Sequence, residues 1–257
     1  MLKDNEHYEP LGKNIKVIVS DKHHFSTDTI LLADFAMPKK HDKSVELGTG
    51  CGTIPLIWAR EMGKNLNVTA VEIQDDAYDM IKRSVLINGL GKYIHPVHGD
   101  LRNLRSKLRY GYYDLVVSNP PYKLSGSGIV NPDKEKMLAR HEESCTLEDI
   151  VSCASRLLQF GGRFCMCQRP ERLSDVIETM RKYHLEPKRL RFVQQRQNKE
   201  PKLFLIEGRR GGNRGFLQTM PVLFIEDDKG DFSEEMRRIY GCYKTGDTDS
   251  AKQEINK

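Results

Sequence analysis

Short apolar runs alternate with longer helix-like segments between residues 44 and 168. The runs rich in β-branched residues lie at residues 45–47, 68–73, 94–97, 114–118 and 163–166. The helical patterns lie between them, at residues 54–62, 75–88 and 147–158, with a shorter one at 101–109. Strands that alternate with helices indicate βαβ units, so the pattern predicts an α/β fold around a mostly parallel sheet.

Further elements are predicted on both sides of this region. The segment before it reads as a short strand, a turn and a helix that begins near Thr27 and is capped by Ser26 or Asp28. The pattern after it predicts a helix, a pair of strands, a last strand and a short helix, at residues 174–183, 189–194, 202–207, 222–225 and 233–240. The strand pair is typical of an antiparallel hairpin at the edge of a parallel sheet.

Composition narrows the class of protein. No run of eighteen apolar residues occurs, and the chain is polar from its fourth residue, which argues against a membrane span and a secretory signal. Six scattered cysteines favour reduced thiols and a cytoplasmic location over a disulfide scaffold. Cys165 and Cys167 lack a second Cys/His pair at ligand spacing, so we interpret them as neighbours on one strand face and expect no metal site.

A glycine-rich loop follows the first predicted strand of the alternating region. Residues 45–52 read VELGTGCG, with glycines at positions 48, 50 and 52. Such a loop lets a ligand approach the backbone at the carboxyl end of a strand, where open α/β sheets bind nucleotides. The spacing differs from the dinucleotide fingerprint, and the lysine of a phosphate-binding loop is absent. We interpret Cys51 as a small residue that fills the turn.

Acidic residues end the next two strands. Glu72 lies twenty residues after Gly52, at the tip of the second strand, where a carboxylate can accept both ribose hydroxyls of a nucleoside. Asp100 follows the third strand and can accept from an adenine amino group. The order of these features predicts nucleoside binding.

The fourth strand runs into the sequence NPPY, residues 119–122. We expect this strand beside the first, which would bring NPPY next to the glycine-rich loop. The Asn119 side-chain oxygen and the Pro120 carbonyl can both accept from one NH2 group, and the Tyr122 ring can stack on a flat base or amide. Pro121 keeps the loop stiff. The pattern predicts in-line transfer of a methyl group to nitrogen, promoted mainly by alignment.

These motifs resemble a known family. ELGTGCG, VEIQ, GDL and NPPY, in this order, are similar to the class I S-adenosylmethionine-dependent methyltransferases that modify nitrogen. HFSTDTILLADF, the segment after NPPY, RLRFV and FLIEGRRGG resemble the tRNA1(Val) (adenine-37-N6)-methyltransferase family, over roughly residues 10–241. The resemblance implies a Rossmann-like, mostly parallel seven-stranded sheet with an antiparallel edge hairpin and helices on both faces.

The resemblance also assigns roles to residues. Those that would bind S-adenosylmethionine are Phe25, Thr27, Asp28, Glu46, Gly48, Gly50, Gly52, Glu72, Ile73, Asp100 and Leu101. Those that would hold the target base are Asn119, Pro120, Pro121 and Tyr122. The substrate would be an adenosine in RNA, most simply in tRNA next to the anticodon.

We expect four segments along the chain. Residues 1–43 would form an N-terminal strand and helix that cap the cofactor site, and residues 44–215 the methyltransferase core with its basic hairpin. Residues 216–241 would add a strand and a helix, and residues 242–257 are expected to be disordered. A monomer is favoured, although the sequence leaves the oligomeric state open.

Positive charge is concentrated after the core. Residues 181–215 contain eleven Lys and Arg and three Glu, which gives +8, against +5 for the whole chain. A charge run is usually a solvated face, but this one follows directly on the predicted site, so we expect it to contact phosphates. The predicted RNA-binding residues are Arg140, Arg189, Arg191, Arg196, Lys202, Arg209, Arg210 and Arg214.

Other functions fit parts of the sequence. A glutamine-N5 protein methyltransferase can use NPPY equally well, but that family usually has a separate helical N-terminal domain. A DNA adenine methyltransferase would normally need a larger target-recognition region. A non-catalytic RNA-binding protein would not need both NPPY and the cofactor loop.

Overall fold

The computed structural model of the protein describes residues 2–120 and 145–241. The strands are β1 (Glu6–Gly12), β2 (Ile15–Ser20), β3 (Lys43–Leu47), β4 (Asn67–Glu72), β5 (Ile94–His98), β6 (Tyr113–Ser118), β7 (Leu158–Gln168), β8 (Leu185–Gln194), β9 (Pro201–Arg210), β10 (Gln218–Thr219) and β11 (Leu223–Phe224). The helices are α1 (Thr27–Phe35), α2 (Thr53–Met62), α3 (Asp75–Ile87), α4 (Leu147–Leu157), α5 (Leu173–Lys182) and α6 (Glu234–Tyr240). Three short 3-10 turns are Gly63–Asn65, Leu101–Asn103 and Pro170–Arg172.

One large sheet organises the fold. Its strand order is β10-β8-β9-β7-β6-β3-β4-β5, and β11 also pairs with β8. Strands β7, β6, β3, β4 and β5 run parallel, whereas β9 is antiparallel to both β7 and β8. The predicted fold is confirmed: seven long strands with an antiparallel hairpin form the sheet, and the two-residue strands β10 and β11 extend it.

Alternate residues of the central strands face opposite sides of the sheet. Leu115 and Val117 pack into a cluster with α1, α2 and α3, whereas Val116 packs into a second cluster with α4 and α5. All three side chains are 0% exposed. Parallel strands buried on both faces need helices on both faces, which explains the apolar runs of the sequence.

The N-terminal segment contains a strand that the sequence did not predict. Strand β1 pairs antiparallel with β2 in a separate two-stranded sheet. Glu6 anchors it to α3, because both of its carboxylate oxygens accept from Arg83 at 2.7 Å. Leu11 is the one buried residue of β1, and the strand has no apolar alternation, so sequence pattern gave no signal for it.

The helix predicted at residues 101–109 is much shorter in the structure. Only Leu101–Asn103 form a helical turn, which the Asp100 side chain caps. Leu104 and Leu108 are buried four residues apart, which imitates a helical pattern in the sequence.

The last described helix joins the first one. The Tyr240 and Thr27 hydroxyl oxygens lie 3.0 Å apart. The buried Arg60 donates to the carbonyl oxygens of Leu11, Ile239 and Tyr240 at 2.8, 3.4 and 3.3 Å. Helix α6 and the N-terminal hairpin are therefore both attached to α2.

Every helix in residues 2–120 and 145–241 is too short or too polar to cross a membrane. The same residues contain no group of three or more His, Cys, Asp or Glu that could hold a metal ion.

Candidate active site

The carboxyl ends of four parallel strands bring the predicted site together. Gly48 follows β3, Glu72 ends β4, Asp100 follows β5 and Asn119 follows β6. Strand β3 pairs with β4 on one side and with β6 on the other. The glycine-rich loop therefore lies between Glu72 and Asn119, as the sequence predicted.

The glycine-rich loop is tied to β4 and opens helix α2. The amides of Gly48 and Thr49 both donate to the Val71 carbonyl at 3.0 Å. Gly50 has a φ of +57°, and a Cβ built on it would meet nothing within 4 Å. Gly52 has a φ of +87°, and its Cβ would lie 2.5 Å from Ile81. Gly52 thus allows close packing on α3, whereas Gly50 leaves room above the loop for a ligand.

Glu72 is buried beneath this loop. One carboxylate oxygen accepts from the Gly50 amide at 2.8 Å, and the other accepts from the Ile73 and Gln74 amides at 2.9 Å each. A carboxylate has about four acceptor positions, so these amides leave one on the oxygen that Gly50 contacts. Binding of both ribose hydroxyls would require one of these three amides to release the carboxylate. The Ile73 side chain is 48% exposed and offers an apolar surface beside this position.

Glu46 is a buried carboxyl group beside the loop. It is 2% exposed and accepts a hydrogen bond from the Thr49 hydroxyl. Burial raises the pKa of Glu46 well above its usual value; the Thr49 hydrogen bond opposes this shift, and the charge of Glu72 adds to it. A bound cation would reverse the shift, so the position is suited to an ammonium group.

Cys51 and Asp100 differ in their chemistry. Burial raises the pKa of the Cys51 thiol to about 11, which leaves it protonated and supports its interpretation as a filler of the turn. Asp100 accepts from the Arg102 guanidinium through both oxygens, at 2.6 to 3.0 Å, and these hydrogen bonds lower its pKa. An adenine amino group would share this carboxylate with Arg102.

Two side chains that the sequence reasoning missed hold Asn119. Its Nδ2 donates to the Thr29 hydroxyl at 3.0 Å, and its Oδ1 accepts from the Cys167 thiol at 3.0 Å. Thr29 comes from α1 and Cys167 from the end of β7, so three elements fix one amide group. Pro120 is buried behind it. Pro121, Tyr122 and Arg140 lie outside the described residues.

Sequence contained little signal for these two positions. Thr29 is one of several hydroxyl residues near the start of α1. Cys167 belongs to the predicted pair on one strand face, and both Cys165 and Cys167 do pack into the same core cluster. Their relation to Asn119 depends on strand order, which brings β7 next to β6.

The predicted cofactor segment lies at the start of α1. Phe25 packs against the core, and the Thr27 hydroxyl contacts Tyr240. Asp28 lies in the first turn of the helix and is partly buried. Ser26 is the N-cap residue, although its side chain makes no capping hydrogen bond. The same helix therefore carries this segment and Thr29.

Two of the predicted RNA-binding arginines already pair with glutamates of the fold. Arg191 is 9% exposed and forms a two-point ion pair with Glu235, at 2.7 and 2.8 Å. Arg189 pairs with Glu207 at 3.0 Å and donates to the Phe35 carbonyl at 2.9 Å. Their roles as phosphate contacts stay predictions; charge counting along the chain does not show that these two cations already have an acidic partner.

The other predicted cations lie at two opposite edges of the sheet. Ser118 at the end of β6 pairs with Met166 of β7, which pairs with Ile206 of β9. Arg209 is three residues further along β9, so it lies about 10 Å closer to the amino ends of the parallel strands. Arg209 and Arg214 are exposed at that edge, where Arg210 donates to the Ser155 hydroxyl. Lys202 lies at the opposite edge, beyond Asn119, and Arg196 there pairs with Glu226.

Comparison with known proteins places the chain in a family. Residues 17–186 match the model of the methyltransferase small domain. A relative from Porphyromonas gingivalis, named tRNA1(Val) (adenine(37)-N6)-methyltransferase, is 32% identical over 200 residues, which are 76% of each chain. The chain belongs to this family. Relatives of the same name from Bacteroides thetaiotaomicron and Parabacteroides distasonis are 29% and 28% identical, and each alignment covers 83% of this chain and 86% or 87% of the relative.

Solved structures agree on the fold of this family member. A crystal structure of a predicted O-methyltransferase from Agrobacterium tumefaciens aligns with a TM-score of 0.67 at 17% identity, over 83% of this chain and 95% of that one. A geranyl diphosphate methyltransferase in complex with S-adenosylmethionine aligns with a TM-score of 0.51 at 13% identity, over 71% and 84%. At these identities the likeness concerns the fold alone.

Proposed function

We propose that the protein transfers a methyl group from S-adenosylmethionine to the N6 amine of an adenosine in tRNA, next to the anticodon. The observation that carries the proposal is the position of Asn119 and Pro120, at the end of β6 and beside the glycine-rich loop. The relatives' shared name supplies the substrate class and the position. Because such a substrate is found in the cytoplasm, we expect the protein to work there.

The residues around the loop fit this cofactor. Glu46 would bind its ammonium group, Glu72 its ribose, and Asp100 with Leu101 its adenine. Gly50 leaves the space that a ligand over the loop needs. When bound, the cofactor supplies an electrophilic methyl group.

The chain's own residues then orient the amine. Asn119 Oδ1 and the Pro120 carbonyl accept its two N–H groups and direct the nitrogen lone pair toward the cofactor. To accept from the amine, Asn119 Oδ1 uses a second lone pair beside the one that faces Cys167. The amine nitrogen would take the methyl group as the sulfur–methyl bond breaks and S-adenosylhomocysteine leaves, and it would then lose one proton to solvent. Alignment therefore supplies most of the rate. Tyr122 remains the predicted stacking surface for the base.

Labelled S-adenosylmethionine and total tRNA from a strain that lacks the protein test the proposal. We expect label in tRNA, and mapping should place N6-methyladenosine at a single position. Label in protein and not in RNA would favour a glutamine methyltransferase, and no label in either would favour a binding protein.

A variant pair tests the division of roles. Asn119→Ala should abolish methylation and leave the Kd for S-adenosylmethionine nearly unchanged. The control is Asn213→Ala, which alters an exposed asparagine at the opposite edge of the sheet. Equal loss of methylation and cofactor affinity in Asn119→Ala would contradict the assignment.

A further inference from the structure

A basic cavity lies along the segment that connects β5 to β6. It measures ≈ 700 Å³, and its lining includes Arg102, Arg105, Arg109, Tyr110 and Arg156. The first four come from the segment between β5 and β6, and Arg156 comes from the last turn of α4. Arg102 also binds Asp100 after β5, whereas the Gly111 amide donates to the Arg156 carbonyl just before β6 and β7 begin. The cavity therefore extends from the edge of the sheet that carries the site toward the opposite edge.

The charge of this cavity is largely uncompensated. Residues 101–112 contain three arginines, one lysine and no acidic residue. Arg105, Arg109 and Arg156 form no ion pair with any carboxylate in residues 2–120 and 145–241. Arginines elsewhere, such as Arg237 with Asp227, do have such partners. Three cations that face one cavity without acids repel one another, and a polyanion would relieve that repulsion.

Aromatic rings hold two of these guanidinium groups. Arg109 lies over the Tyr112 ring at 4.9 Å from its centroid, and Arg156 lies over the Tyr110 ring at 5.7 Å. Stacking orients a guanidinium without neutralising it, so its N–H edge can still donate to two oxygens of a phosphate. The rings reduce the freedom that these long side chains would otherwise lose on binding.

We propose that this cavity binds the phosphodiester backbone of tRNA at nucleotides away from the target adenosine. The inference rests on the proposed function, which supplies the RNA. Guanidinium groups from residues 102–109 and from residue 156 are spread along the cavity, which suits a ligand with repeated charges rather than a single phosphate. Arg189 and Arg191 differ from the cavity arginines at residues 105, 109 and 156 because each pairs with a glutamate.

The test measures tRNA affinity against salt for the Arg105→Ala/Arg109→Ala double variant. Both residues are exposed, and neither belongs to the proposed catalytic or cofactor site. We expect a higher Kd and a slope of log Kd against log [salt] that is lower by roughly 1 to 2. The Kd for S-adenosylmethionine should not change. The matched control, Lys64→Ala/Lys92→Ala, also removes two exposed positive charges, and its slope should equal that of wild type.

The outcomes separate this inference from the proposed function. If wild type binds and methylates tRNA and the double variant keeps its Kd and salt slope, the cavity assignment is wrong while the function stands. If wild type neither binds nor methylates tRNA, both fail. Should the double variant melt below wild type, the single Arg105→Ala and Arg105→Lys variants decide: the lysine should restore most of the lost affinity, and an alanine variant that equals wild type would overturn the assignment.

Discussion

The contact between Thr29 and Asn119 gives a sharp test of how the target amide is held. Thr29→Val keeps the size and branching of the side chain but removes the acceptor that lies 3.0 Å from Asn119 Nδ2. One net hydrogen bond is worth about 1 kcal/mol. If that energy serves to fix the amide for the transition state, kcat should fall roughly fivefold. Cys167→Ala should have a smaller effect, because a thiol is a weak donor.

The assay measures initial rates at saturating tRNA and S-adenosylmethionine for wild type, Thr29→Val and Thr29→Ser. Serine keeps the hydroxyl, so its kcat should stay close to that of wild type. The KM for tRNA and the cofactor Kd should change little in both variants, because Thr29 orients Asn119 and does not itself hold either ligand. Two results would refute the reasoning: a valine variant with wild-type kcat, or a serine variant as slow as the valine variant.

Two further predictions concern stability. Because the folded-state pKa of Glu46 is raised above 4.5, its protonated form stabilises the apoprotein at low pH, and this stabilisation is lost as the pH rises through the folded pKa. Glu46→Gln should therefore raise the Tm of the apoprotein at pH 8 and not near pH 4, while it weakens cofactor binding; equal Tm shifts at both pH values would contradict this. Arg191→Ala should lower the free energy of unfolding in urea by about 2 kcal/mol, because it breaks the largely buried pair with Glu235. It should leave the salt slope of tRNA binding unchanged, and a lower slope would return Arg191 to the RNA surface.

Local chemistry explains what sequence could predict of this protein. The glycines at residues 48–52 and the prolines after Asn119 have few alternative uses, so they identified strand ends and the order of the site. The alternation of Leu115, Val116 and Val117 between two buried faces identified a covered parallel sheet.

Contacts between residues that are far apart in the sequence explain what the sequence could not predict. Strand β1 depends on its pairing with β2 and on the Glu6–Arg83 ion pair, and neither contact is local. The sum of +8 over residues 181–215 included Arg189 and Arg191, whose acidic partners become visible only in three dimensions. The roles of Thr29 and Cys167 likewise depend on which strands and helices are neighbours.

The attachment of α6 to α1 has a consequence for biosynthesis. Thr27 meets Tyr240 across 213 positions of the chain, and the helix that contains Thr27 also holds Asn119 through Thr29. A ribosome makes α6 after every other described element. In a nascent chain whose sheet is already complete, α1 therefore still lacks the contact with α6 that supports it. We therefore expect stalled nascent chains that expose residues up to 230 to methylate tRNA poorly, with activity rising once residue 241 has left the exit tunnel.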